Sequence, residues 1–325
     1  MQLDDYVTEI AKIYGVHDRH RSVWDVWCHA LHHAAAIPER LRKKAPAAEV
    51  LKEIADFALW LFTAVHKLEG RSGEPQEPNE TPPETLIRIQ SGCSDLLWHR
   101  YPKICPFCYA RRTGVGAQSE ESQELLTPCD CPTPDPGGPK DKAERRVAAE
   151  SLRNFSERNR RGKPKNIDEW QEMFGALFGS NLKKTSLPEV TLHLMEELGE
   201  ASDAMVRMYS YRQDDFLKGE PRQRQLRLES QIADVFSRFF ALVERMSLFS
   251  GELPGYARWR SESGIVSGET ILLSEIIWRR YGSDELHSFY CPFCGHAACT
   301  CPLIFVPATR SMEEFKALLN DHDHP

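Results

Sequence analysis

The sequence predicts an all-α protein written twice from one helical plan. Apolar residues recur at three-to-four spacing through eight long stretches. Strand-like alternation is scarce outside the cysteine groups. The chain also repeats itself in order. Ile104-Cys105-Pro106-Phe107-Cys108 returns as Tyr290-Cys291-Pro292-Phe293-Cys294. Leu97-Trp98-His99-Arg100-Tyr101 returns as Ile277-Trp278-Arg279-Arg280-Tyr281. Glu53-Ile54-Ala55-Asp56 returns as Gln231-Ile232-Ala233-Asp234, and Leu3-Asp4-Asp5-Tyr6 as Ile167-Asp168-Glu169-Trp170. The offset drifts slowly between 164 and 186 residues, as insertions in connecting segments produce.

The first unit, about 1–104, carries helical periodicity at 3–14, 22–44, 47–68 and 84–100. Residues 70–83 (GRSGEPQEPNETPP) read as a Pro/Glu-rich linker inside it. A first cysteine module follows at 105–139, with a polar, Gly/Pro-rich insertion. Residues 140–166 form a basic linker or helix; 140–165 hold ten Lys or Arg against four acids. A solvated connector is favoured there over a nucleic-acid contact. The second unit, 167–285, is periodic at 167–179, 187–211, 223–248 and 269–281. A second cysteine module occupies 286–307. Residues 308–325 read as a short helix, opened by Ser311-Met312-Glu313-Glu314-Phe315, and a tail holding His322 and His324.

Composition sets the class. The 325 residues include 41 Lys+Arg and 48 Asp+Glu, for a net charge of -7, and 41% are hydrophobic. That supplies real cores and excludes global disorder. No apolar run reaches the roughly 18 residues of a membrane span. Met1-Gln2-Leu3-Asp4-Asp5 does not begin a secretory signal, so a reducing, cytoplasmic setting is expected. A mildly acidic chain is not steered to nucleic acid as a whole.

Eight of the ten cysteines fall into two groups: Cys105, Cys108, Cys129 and Cys131, then Cys291, Cys294, Cys299 and Cys301. Two closely spaced pairs per group suit tetrahedral Zn²⁺, which prefers soft thiolates. Two structural Zn²⁺ are therefore expected, with an iron–sulfur cluster or a redox dithiol as rivals. Cys28 and Cys93 stand alone in apolar surroundings and read as core residues.

The sharpest chemistry is His193-Leu194-Met195-Glu196-Glu197-Leu198-Gly199-Glu200-Ala201-Ser202-Asp203. On a helix, Glu196, Glu200 and Asp203 stack on one face, with Glu197 about 100° round. Like charges at this spacing destabilise a bare helix, so a cation held against them is the functional reading. A solvated acidic stripe is the ordinary one. Further on, Gln231-Ile232-Ala233-Asp234-Val235-Phe236 sets Asp234 on the polar edge of another amphipathic helix. Facing helices that offer inward carboxylates build metal sites in bundles. Mg²⁺ or Mn²⁺ is the ion such oxygens select.

These two segments, HLMEELGEASDAM and QIADVFSRFFAL, resemble the all-α nucleoside triphosphate pyrophosphohydrolases of the MazG type. The family signature is Glu-Glu-x-x-Glu, a gap, then Glu-x-x-Asp, and the resemblance covers about 167–248. It implies tandem four-helix units and a metal-dependent enzyme that cleaves (d)NTPs to monophosphate and pyrophosphate. Carried over, Glu196, Glu197, Glu200 and Asp234 become metal ligands, with Glu197 and Glu200 catalytic. Gln231 departs from the signature, which leaves a pseudoenzyme open: a nucleotide sensor, or a zinc-stapled scaffold for a protein or nucleic-acid partner. Asp203 is a secondary candidate. The family's dimers suggest an internal pseudo-dimer and leave homodimer formation open. The metal would clamp phosphate oxygens while a carboxylate orients or deprotonates water.

The first unit keeps Glu53 and Asp56 but places His29, Ala30 and His33 where the three glutamates sit. It reads as a non-catalytic partner. The sharper alternative joins His29 and His33 to Glu53 and Asp56 around a transition metal. The tryptophans recur at helical spacing and read as core; Trp259, in an irregular stretch, is the one most open to a substrate.

Overall fold

The computed structural model describes residues 1–18, 21–69, 89, 91–113, 128–129, 142–208, 221–261, 270–284 and 288–301. Among them the chain is mostly helical, as the periodicity predicts. The N-terminal helices are α1 (Leu3–Asp18), α2 (Val23–Arg42), α3 (Ala47–Leu68), α4 (Cys93–Arg100), α5 (Pro106–Thr113) and α6 (Lys142–Arg158). The C-terminal ones are α7 (Ile167–Leu182), α8 (Leu187–Met208), α9 (Pro221–Leu248), α10 (Tyr256–Ser261) and α11 (Leu273–Tyr281). Gly282–Ser283 and Ser288–Phe289 make one short antiparallel pair, β1 and β2.

Local chemistry fixes several ends. Ser22 and Asp25 form a reciprocal capping box that starts α2. Asn166 accepts from the Asp168 and Glu169 amides and starts α7. Of the fourth helix, expected from residue 84, the described part is Cys93–Arg100; residues 84–88 lie outside the described residues. Its start is set from a distance: Asp4 of α1 accepts from the Ser94 amide at 2.9 Å and from its hydroxyl. The stretch around Trp259, expected to be irregular, is α10. Cys28 is exposed rather than core, because the buried stripe of α2 runs through Val23, Trp27, Ala30 and Ala34. Cys93 is buried as expected.

Two long helix pairs dominate: α2 with α3, and α8 with α9. Helix α1 lies on α3, and α7 on α9. The short helices then cross over. Helix α4, from the N-terminal half, packs on α9; α11, from the C-terminal half, packs on α3. The basic helix α6 lies along α4, where the Trp98 indole donates to the Ser156 carbonyl at 2.8 Å. Aromatic side chains fill the middle: Phe57 meets Phe239 edge-on at 4.8 Å, and Phe62 lies 5.8 Å from Phe236. The Trp27 indole donates to Ser202 at 2.8 Å and ties α2 to α8.

Among the described residues no helix is long and apolar enough to cross a membrane. Cys131, the 70–83 linker, most of the 110–139 insertion, the expected helix at 311–315 and both His322 and His324 lie outside the described residues.

Candidate metal centres

The thiols converge. The Sγ atoms of Cys291, Cys294, Cys299 and Cys301 all lie within 4.8 Å of one another, and so do those of Cys105, Cys108 and Cys129. Cys108 and Cys129 approach to 3.7 Å. Both groups could hold a metal such as zinc, whose Zn–S bonds near 2.3 Å place tetrahedral neighbours just under about 4 Å apart. The first turns differ for a local reason. After Cys294, Gly295 takes a φ of 73° and reverses the chain. The matching residue, Tyr109, continues into α5.

Each group docks on the other half. The Cys129 amide donates to the Leu177 carbonyl on α7 at 2.7 Å, and the Cys299 amide to Ile13 on α1 at 2.6 Å. The sequence placed each module after its own unit and gave no sign of this exchange.

The carboxylate ladder divides. The buried stripe of α8 runs Val190, Leu194, Leu198, Ala201 and Met205. Glu197 borders that stripe and faces α9, where Arg238 donates to it at 3.3 Å. Burial and the neighbouring Asp234 charge push the Glu197 carboxyl up to about 7. Glu196 points outward, 63% exposed, toward His193. Asp203 is paired with Arg207 and Arg227 on the surface. Glu200 is exposed on α8. The face expected to carry the metal, Glu196–Glu200–Asp203, is thus not the one that meets Asp234; Glu197 is.

Asp234 itself is taken. Arg100 of α4 donates to both its oxygens at 2.9 Å, and the Tyr101 hydroxyl adds a bond at 2.6 Å. Burial and then the Asp234 charge raise the Tyr101 hydroxyl well above its ordinary value, so it stays a donor. Among the described residues Glu196, Glu197, Glu200 and Asp234 do not form a converging donor group. Gln231, one turn before Asp234, has its side-chain oxygen buried without a hydrogen-bond partner.

The same device recurs at Asp56. Arg280 of α11 donates to its Oδ1 at 3.0 Å, and the Tyr281 hydroxyl donates to the same oxygen. Lys52 reaches the other oxygen at 3.1 Å. Burial raises the Asp56 carboxyl, but the bonds from Tyr281 and Arg280, with the Arg280 and Lys52 charges, outweigh it and hold the group below its usual range. Sequence reasoning missed Arg100, Tyr101, Arg280 and Tyr281 as site residues. The signal was present: an Arg-Tyr pair recurs at nearly the same offset as the Ile-Ala-Asp phrase.

No family model, curated protein or solved structure matches this chain.

In the N-terminal half, His33 Nδ1 lies 2.8 Å from Glu53 Oε2, and Asp56 completes a converging set with them. His29 does not join. Its ring stacks on Trp60 at 4.4 Å, and burial, with nearby Arg21, His33 and His32, holds its pKa below the usual value. Ala30 is fully buried in the α2 core.

Proposed function

We propose that this chain is a non-hydrolytic, zinc-stapled protein built on the MazG-like plan: an internal pseudo-dimer that binds rather than turns over its ligand. Two Zn²⁺ hold the cysteine modules; Cys131, outside the described residues, is the fourth thiol the sequence offers the first set. The observation that carries the reading is Asp234, whose oxygens both accept from Arg100 while Tyr101 adds a third bond. A divalent cation would have to displace a bidentate guanidinium, which matches carboxylate geometry closely. The matching acid, Asp56, is held by the matching Arg-Tyr pair, so the arrangement belongs to the repeated plan. Gln231, in place of the signature glutamate, removes a further charge from this face of α9.

One observation favours the rival, a Mg²⁺- or Mn²⁺-dependent (d)NTP pyrophosphohydrolase. Glu197, raised to about 7 beside Asp234 and near Glu200, has the proton affinity of a general base at neutral pH. In that reading Glu200 and Asp234 would hold the ion, which would neutralise polyphosphate charge. Arg100 and Arg238 would turn to the phosphates, and Glu197 would take a proton from the attacking water. Pyrophosphate release from a panel of NTPs and dNTPs, with Mg²⁺ or Mn²⁺, separates the two. Our reading expects nucleotide binding without turnover in the wild type. Turnover that is abolished by Glu197→Gln or Asp234→Asn would overturn it.

A further inference from the structure

We propose that His33, Glu53 and Asp56 form a site for one first-row divalent ion, Mn²⁺, Fe²⁺ or Zn²⁺, in the N-terminal half. Helix α2 supplies the imidazole, and α3 supplies both carboxylates one turn apart. Their ligand atoms all lie within 4.8 Å of one another, and both acids are buried, at 5% and 4% exposure. The 2.8 Å between His33 Nδ1 and Glu53 Oε2 also suits adjacent ligands, because two bonds of about 2.1 Å at right angles span about 3 Å. The His33 side chain is 17% exposed, which leaves a route from solvent.

The competing cations are placed to yield. Arg280 and Tyr281 both bond Asp56 Oδ1, the arrangement of an outer shell that orients a ligating carboxylate. Asp56 Oδ2 is met by Lys52, whose side chain is 47% exposed and free to swing into water. Arg40 approaches Glu53 Oε1 only at 3.5 Å. At Asp234, by contrast, Arg100 occupies both oxygens. An imidazole with two carboxylates suits a borderline first-row ion better than Mg²⁺, and three protein donors leave coordination positions for water or a small ligand. The assignment is independent of whether the α8–α9 face hydrolyses nucleotides.

The test uses the full chain with its cysteine sites loaded with Zn²⁺, titrated with Mn²⁺ while free Mn²⁺ is read by electron paramagnetic resonance. Mn²⁺, an oxygen- and imidazole-seeking ion, does not displace zinc from thiolates. The expected result is an uptake of Mn²⁺ that falls by one ion per chain in both Glu53→Gln and His33→Ala. The surface variant Lys52→Ala should tighten binding several-fold by removing a competitor, without burden on the core. No uptake by the wild type, or uptake indifferent to Glu53→Gln and His33→Ala, would overturn the assignment.

Discussion

Replacing Arg100 with methionine would test the cross-half clamp most directly. The change removes a guanidinium that donates twice to Asp234 at 2.9 Å and leaves the acid with the Tyr101 hydrogen bond and the more distant Arg238 charge. The Asp234 side chain is 8% exposed and that of Arg100 is 20%, so solvent screens the pair weakly. Breaking a buried pair by removing one partner costs about 3–5 kcal/mol, because a charge is left uncompensated. Arg280→Met should cost less, about 2 kcal/mol. There the orphaned Asp56 keeps Lys52 at 3.1 Å as well as Tyr281. The assay is denaturant unfolding of the zinc-loaded chain followed by tryptophan fluorescence. The double variant Arg100→Met/Asp234→Leu should recover much of the loss, because an apolar pair of similar size often replaces a buried ion pair at little cost. Equal costs for Arg100→Met and Arg280→Met, or strict additivity in the double variant, would refute the reasoning.

Further outcomes follow from the same geometry. The raised Glu197 pKa means the fold favours its protonated form. Stability from that proton is fully present below the free-carboxyl value near pH 4.3 and is lost as pH climbs through about 7. Glu197→Gln should therefore flatten the stability–pH curve between those values, by on the order of 3 kcal/mol; an unchanged slope would contradict the burial argument. Elemental analysis should find two thiolate-bound zinc ions per chain, one lost in Cys105→Ser and the other in Cys291→Ser; a coloured protein carrying iron and sulfide would refute this. A Cβ at Gly282 would lie 2.2 Å from the Trp278 ring, so Gly282→Ala should cost about 1–3 kcal/mol and change the indole fluorescence. Gly295→Ala meets no steric neighbour, but a φ of 73° should cost it about 1 kcal/mol, visible as earlier zinc release on heating.

Helix existence was legible because one face of each long helix is buried against a neighbour, and the 3.6 period records that directly. Trp27, Trp98 and Trp170 were readable as core for the same reason. Which face of α8 meets α9 was harder to see. The most regular acidic spacing, Glu196–Glu200–Asp203, belongs to the solvent side, where His193 meets Glu196 and arginines meet Asp203, while Glu197 sits at the apolar border. The exchange of α4 and α11 left no local mark at all. Periodicity says that a helix has a buried stripe, and it is silent on whether the covering helix comes from the same half or the other. Only the paired recurrence of Arg-Tyr and Asp carried that information, and it had to be read as a contact rather than as a repeat.

The crossed-over short helices have a consequence for dissection of the gene. A fragment ending in the basic segment would surrender α11, leave Asp56 with Lys52 alone, and bare the side of α3 that α11 covers. A fragment beginning there would lack α4 and strip Asp234 of its guanidinium. Each piece would leave a buried acid without its arginine, and each holds what the other lacks. Two such fragments produced together should reassemble, and intact chains refolded at high concentration should trade these arms with one another to give interlocked oligomers.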